Sequence, residues 1–204
     1  LLVIKKGQTI KKNKMGLKKI QTAVFISGTG SNLKNLIKFS KIKKSPINIK
    51  LVISNNLKSK GLNYAKKLKI KHKVFKFQKN DISEKKALLY LKNNKIKLIC
   101  LAGFMKILSK NFIKKFKGKI INIHPSLLPK YKGLNTHERA IRNGEKFSGC
   151  TVHYVNSKLD SGKIIAKKII KILKKDTPNS LKKRILREEH ILYPKAVKKV
   201  CANL

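Results

Sequence analysis

The sequence predicts an α/β protein built on a doubly wound, mostly parallel sheet that closes with a C-terminal β-hairpin and helix. Three observations carry that expectation. From Thr22 onward, short apolar runs alternate with stretches of helical period, the pattern of βαβ units. Runs such as LICLA, residues 98–102, are continuously apolar, as strands buried on both faces must be. The 204 residues are enough for one domain with a substantial core and no disulfide or metal staple.

The elements follow in order. TAVFIS (residues 22–27) reads as a first strand, followed by a helix carrying Leu33, Leu36 and Ile37. INIKLVI reads as a second strand, with a helix of Leu62, Ala65 and Leu68 after it. A strand near residues 73–77, a helix with Ala87, Leu88 and Leu91, and the LICLAG strand continue the series. A short helix from Ser109 then leads into the strand KIINIH. Beyond Pro129 come a helix over about residues 136–143 and two strands, CTVHYV and KIIAKKIIKI, joined as a hairpin by SKLDSG. A final helix is opened by Asp176-Thr177-Pro178, and Tyr193-Pro194 is expected to kink or end it. Residues 1–21 are basic and aperiodic and read as an N-terminal extension, disordered or a mis-set start with Met15 as the alternative beginning. Residues 22–204 read as a single domain.

Lys and Arg total 52 against 8 Asp and Glu, a formal charge of +44. That excess raises nucleic acid as a partner, but the lysines are spread through polar positions along the chain instead of gathering on one face with aromatics. Arginine occurs only at 139, 142, 184 and 187. The charge therefore reads as solvated surface, and as a field that attracts phosphorylated or polycarboxylate small molecules. Cys100, Cys150 and Cys201 form no CxxC pair, which argues against a disulfide framework or zinc site and for a reducing compartment. No apolar run approaches the roughly 18 residues of a membrane span, so the expectation is a soluble, cytoplasmic protein.

Four features could carry chemistry. SGTGSN, residues 27–32, lies between a strand and a helix, where glycines let backbone N–H groups approach one phosphate; the plainer reading is a tight turn with Ser31 as helix cap. It is neither a dinucleotide fingerprint, since Leu33 holds the third glycine position, nor a P-loop. Asn122 and His124 alternate at the end of a strand and share a face, which suits an acyl transfer, with the amide donating to an oxyanion and the imidazole moving a proton. Asp160, in the hairpin turn, would raise the pKa of a nearby His124, or else merely cap its own turn. Glu189 falls on the apolar stripe of Leu181, Ile185 and Leu192, and needs a donor, either a substrate amine or a neighbouring lysine. His72, His137, His153 and His190 show no metal-ligand spacing, so no metal is expected, and no nucleophile elbow is present.

Taken together, AVFISGTGSNL, LAGFMKILS, INIHPSLLPKYKG, SGCTVHYV and KLDSGKII resemble, in order and distance, the phosphoribosylglycinamide formyltransferase family, over about residues 22–199. The resemblance implies a Rossmann-like formyltransferase fold that passes a formyl group from 10-formyltetrahydrofolate to glycinamide ribonucleotide, in de novo purine synthesis, without metal. It implies Asn122, His124 and Asp160 as catalytic residues, and Gly30, Ser31, Asn32 and Glu189 as the ribonucleotide site. The folate pocket it implies comprises Met105, Lys106, Ile107 and Leu108 with Asn122, Asn156, Ser157, Lys158, Leu159 and Asp160. The family's folate-contacting Arg is absent, leaving Lys85 as stand-in; the third helix is about a turn shorter, and the chain stops at Leu204, before the family's usual C-terminal segment. HPSLLP and LDxG are shared with methionyl-tRNA formyltransferase and formyltetrahydrofolate deformylase, which remain alternatives beside a basic nucleic-acid-binding protein; SGTGSN favours the first family. The expected partners are small molecules, with the chain a monomer or homodimer.

Overall fold

The computed structural model describes residues 19–77 and 82–204; the expected extension, Met15 included, lies outside the described residues up to residue 18. Seven strands form one sheet: β1 (Ile20–Ile26), β2 (Ile47–Ser54), β3 (Lys71–Val74), β4 (Leu98–Leu101), β5 (Lys119–His124), β6 (Phe147–Tyr154) and β7 (Ile164–Lys171). Among the described residues six helices accompany them: α1 (Ser31–Ser40), α2 (Leu62–Lys67), α3 (Ile82–Asn93), α4 (Lys110–Lys115), α5 (Thr136–Arg142) and α6 (Pro178–Cys201). The strand order is β3-β2-β1-β4-β5-β6-β7. Strands β1 to β5 pair in parallel, whereas β6 and β7 add antiparallel at one edge. This is the α/β class, mostly parallel with a hairpin, that the sequence pattern predicts. Among the described residues no helix is long and apolar enough to cross a membrane.

Side chains of β1 alternate between two cores, as a period of two requires. Val24 and Ile26 pack with Leu33, Leu36, Leu181, Ile185 and Tyr193, under α1 and α6. Ala23 and Phe25 pack with Ala87, Leu91 and Phe112, under α3 and α4. Both faces of the central strands are covered, which is why those strands are apolar throughout. The first strand begins at Ile20, two residues before Thr22, because Ile20 and Gln21 already pair with Ile47 and Asn48. The third strand ends at Val74, short of the expected Phe77. There the chain leaves the sheet so that the Phe77 ring joins Phe25, Phe104 and Phe112.

Two helix expectations are corrected. Ser31 does not cap α1; Gly30 does, in the left-handed region at φ 76°, with no side-chain cap. A side chain at Gly30 would meet the Gly61 Cα at 2.6 Å, so glycine is needed for conformation and for space. Nor does α6 end at Pro194; it runs on to Cys201. Proline removes the N–H that would bond the His190 carbonyl four residues earlier. Asn35 of α1 supplies the missing donor, its Nδ2 lying 2.6 Å from that carbonyl. The proline thus becomes a docking point between α1 and α6.

The buried Tyr193 hydroxyl reaches the carbonyls of Leu101 (2.9 Å) and Ile121 (3.3 Å), tying α6 to adjacent strands β4 and β5 just below Asn122. Tyr193→Phe keeps the ring but removes the donor from buried carbonyls, so equilibrium denaturation is expected to show a loss of about 1–3 kcal/mol. An unchanged denaturation midpoint would contradict this role.

Candidate active site

The strands of the parallel part end on one side of the sheet, where ligands sit in open α/β folds. Asn122 and His124 close β5 there, and the antiparallel register sets His153 of β6 opposite Asn122. The turn after β6 carries Asp160 back over this edge in the left-handed region at φ 44°. One carboxylate then meets four groups. Its Oδ2 accepts from the Gly133 N–H at 2.9 Å and lies 3.4 Å from His124 Nδ1. Its Oδ1 lies 3.4 Å from Asn122 Nδ2 and 3.6 Å from His153 Nε2. Asp160 therefore does more than cap its own turn.

The proton positions follow from the partners. His153 Nδ1 lies 2.8 Å from the Tyr154 carbonyl, which only accepts, so Nδ1 carries a hydrogen; Nε2, 3.2 Å from Asn122 Nδ2 and 3.6 Å from Asp160 Oδ1, accepts from the amide when the ring is neutral and donates to the carboxylate when it is protonated. With the ring neutral, both amide hydrogens of Asn122 are directed at protein acceptors, and donation to a substrate oxygen requires giving one up. The 3.4 Å contact with Asp160 is the longer. His124 Nε2 lies 2.9 Å from the Tyr131 carbonyl and must donate to it, so Nε2–H is present in either protonation state. Tyr131 has φ 54°, which aims its carbonyl at the ring.

Asp160 does act upward on the pKa of His124, as expected, but the net shift of the imidazole is downward. Burial is the largest influence and pulls the imidazole below its ordinary value, outweighing the Tyr131 carbonyl and the Asp160 charge, which both act upward. For Asp160, burial acts upward, yet the hydrogen bonds from His153 and Gly133 and the neighbouring imidazoles hold the carboxyl below the usual range. The centre at neutral pH is a carboxylate facing a histidine whose protonated form is disfavoured.

Two cavities meet here. A cavity of about 810 Å³ is lined by Gly28–Asn32, by Asn122, His124 and Asp160, and by Lys182, Leu186 and Glu189 of α6, with Glu189 meeting Asn32. A small cleft beside it is walled by Leu101, Phe104, Ile107, Leu108, Val155 and Leu159, with Lys106, Asn156, Lys158 and the Asn122–Asp160 contact on its polar side. Met105 lines the larger cavity. Ser27 joins the walls: its N–H donates to the Gly103 carbonyl (3.0 Å), and its Oγ accepts from the Met105 N–H (2.7 Å) and donates to Asn55.

Two expected folate residues are not brought to these walls. Lys85 sits on the outer side of α3, because Glu84 is turned inward to accept from the Ser109 N–H (2.9 Å) and hydroxyl at the start of α4. Ser157 is exposed at the hairpin turn, where the Asn156 side chain accepts from the Lys158 N–H (3.0 Å).

Glu189 is buried, and its partner is not a lysine but Asn32, whose Nδ2 donates at 2.7 Å. Burial pushes its carboxyl up to about 7, against the hydrogen bond from Asn32. Asn32 Oδ1 is buried with no partner among the described residues, as is His137 Nε2. Sequence reasoning had assigned no role to His153, Tyr131, His137 or Lys182. Only strand register and helix packing bring them in, though Leu186 and Lys182 do precede Glu189 at helical spacings of three and seven.

Residues 20–197 match the formyl transferase family model. The chain belongs to the formyl transferase family. It is 42% identical over 185 residues to the phosphoribosylglycinamide formyltransferase of Haemophilus influenzae, covering 89% of this chain and 86% of that protein. It is 40% identical over 204 residues to the human trifunctional purine biosynthetic protein adenosine-3, covering 98% of this chain. The chain spans between 13% and 20% of the length of such trifunctional relatives. The crystal structure of phosphoribosylglycinamide formyltransferase from Brucella melitensis superposes with a TM-score of 0.86 at 40% identity, covering 92% of this chain and 98% of that one. The enzyme of that name from Anaplasma phagocytophilum gives 0.86 at 44%, covering 91% and 88%.

Glu189 makes a pH prediction. A carboxyl raised from 4.5 to about 7 holds a proton in the folded state that the unfolded chain has lost. The contribution of Glu189 to stability therefore falls as pH rises between those values, by roughly 3 kcal/mol at about 1.4 kcal/mol per unit. Cys150 and Tyr193 also face Glu189, and burial raises both of their pKa values, so neither charges in this range. Glu189→Gln is expected to remove this fall: urea unfolding should match the parent near pH 4.5 and exceed it near pH 8.

Proposed function

We propose that this chain transfers a formyl group from 10-formyltetrahydrofolate to the amine of glycinamide ribonucleotide, directly and through a tetrahedral intermediate, as a step of purine synthesis. The observation that carries the reading is the single Asp160 carboxylate shared by Asn122 and His124 where the two cavities meet. The apolar cleft with a few polar groups suits the flat ring of a folate, with Lys106, Ile107, Leu108, Asn156, Lys158 and Leu159 on its walls and Met105 beside it. The larger cavity suits the ribonucleotide, with Gly30, Ser31 and Asn32 at the start of α1 and Glu189, which meets Asn32 at 2.7 Å, on its walls.

In this reading the substrate amine attacks the formyl carbon, and the carbonyl oxygen becomes an oxyanion. His124 Nε2–H, now donating to an amide carbonyl, turns to that oxyanion, which is the stronger acceptor. Asn122 exchanges its long contact with Asp160 for the same oxygen. The proton released by the attacking nitrogen passes through Asp160 to the leaving N10 as the C–N10 bond breaks, so neither metal nor covalent enzyme intermediate is needed.

The test is a formyl-transfer assay with both substrates. His124→Ala and Asp160→Asn are expected to lower kcat by about 10²–10⁴-fold, and Asn122→Ala by about 10²–10³-fold. Full activity in the His124 and Asp160 variants would place the chemistry elsewhere. An inactive parent that binds RNA in a salt-sensitive way would favour the nucleic-acid alternative instead.

A further inference from the structure

We propose that Lys182 of α6 is the counter-charge for the phosphate of the substrate in the larger cavity, which it lines together with the start of α1. The proposal rests on reading that cavity as the ribonucleotide site. It begins from a contrast: the chain carries +44 overall, yet the lysines on the cavity wall are Lys106 and Lys182. Lys106 also lines the small cleft and so belongs to the end near Asp160. At the α1 end the wall is made by Gly30, Ser31 and Asn32, where Glu189 meets Asn32 at 2.7 Å, and Lys182 and Leu186 line the same cavity from the helix of Glu189. Lys182, Leu186 and Glu189 follow at spacings of four and three on α6 and so share one face of the helix.

The charge at that end does not suit a phosphate without Lys182. The N-terminus of α1 offers N–H groups and a partial positive charge only. Glu189, titrating near 7, adds negative charge at neutral pH. His137, on the same wall, is held neutral, its pKa lowered to about 4 by burial first and by Lys182 second. Lys182 is exposed and makes no ion pair among the described residues, so its ammonium is uncommitted beside the cavity. A second observation marks this end as built for a ligand. Asn32 is 7% exposed and lines the cavity, and its Oδ1 is buried with no partner. A native interior does not leave such an acceptor open without cause.

The experiment measures ribose 5-phosphate binding to the full chain by calorimetry, together with turnover. In Lys182→Ala, ribose 5-phosphate affinity is expected to fall about 10-fold or more, as for loss of a charge-assisted hydrogen bond. The KM for glycinamide ribonucleotide should rise by a similar factor, while kcat and the KM for folate hold. Lys183→Ala, which removes an exposed charge off the cavity wall, should change neither. Adding Leu186→Lys to Lys182→Ala, one turn along the same face, should restore part of the affinity. The proposal is overturned if the parent does not bind ribose 5-phosphate, if Lys182→Ala binds it like the parent, if Lys183→Ala loses as much, or if kcat falls instead of KM rising. A parent that binds ribose 5-phosphate through Lys182 but shows no turnover would sink the formyl-transfer reading and leave this assignment standing. A parent with full turnover and an indifferent Lys182 would do the reverse.

Discussion

The site depends on keeping one carboxylate buried and ionised in a chain where lysine is the commonest charge. Burial by itself favours the protonated form of Asp160. What prevents this is the number of donors gathered on it from three separate segments: the end of β5, the loop at Gly133 and the facing strand β6. None of the donors is a lysine, and that matters for the chemistry. A tight lysine pair would fix the carboxylate as an inert ion, whereas imidazole and amide contacts of 3.4–3.6 Å are compatible with the proton relay proposed for it.

The second buried acid has the opposite character. Glu189 has one donor, from Asn32, and its carboxyl is pushed to about 7. The same helix pair is joined a turn further on by Asn35 and the carbonyl that Pro194 leaves unpaired. So α1 and α6 are joined by polar contacts as well as by the packing of Leu33, Leu36, Ile185 and Tyr193. The polar contacts fix the helix register; the apolar ones supply most of the attraction.

Much of this was legible in the sequence because it is periodic. Strands buried on both faces read as apolar runs, and Asn122 and His124 declared a shared face by being two residues apart at a strand end. Glu189 stood out by interrupting an apolar stripe. What stayed hidden depends on contacts between distant segments. His153 lies opposite Asn122 only through the register of β5 and β6, and the choice of Asn32 over a lysine for Glu189 depends on how α1 meets α6. The net fall in His124 pKa could not be read either, since a neighbouring carboxylate is visible in a motif and the depth of burial is not. Pro194 misled for a similar reason: local chemistry says that a helix should break, and a side chain 159 positions earlier in the chain, Asn35, removes the need.

Tyr193 touches carbonyls 92 and 72 residues away in sequence, and Glu189 meets Asn32 across 157 residues. High sequence separation delays the formation of contacts, because loop closure costs entropy before any attraction is gained. As the chain leaves the ribosome, β1 to β5 can pair while the residues that complete the cavity are still unmade. The sheet can therefore be assembled well before it is able to hold a substrate, and α6, synthesised after all seven strands described, completes the pocket.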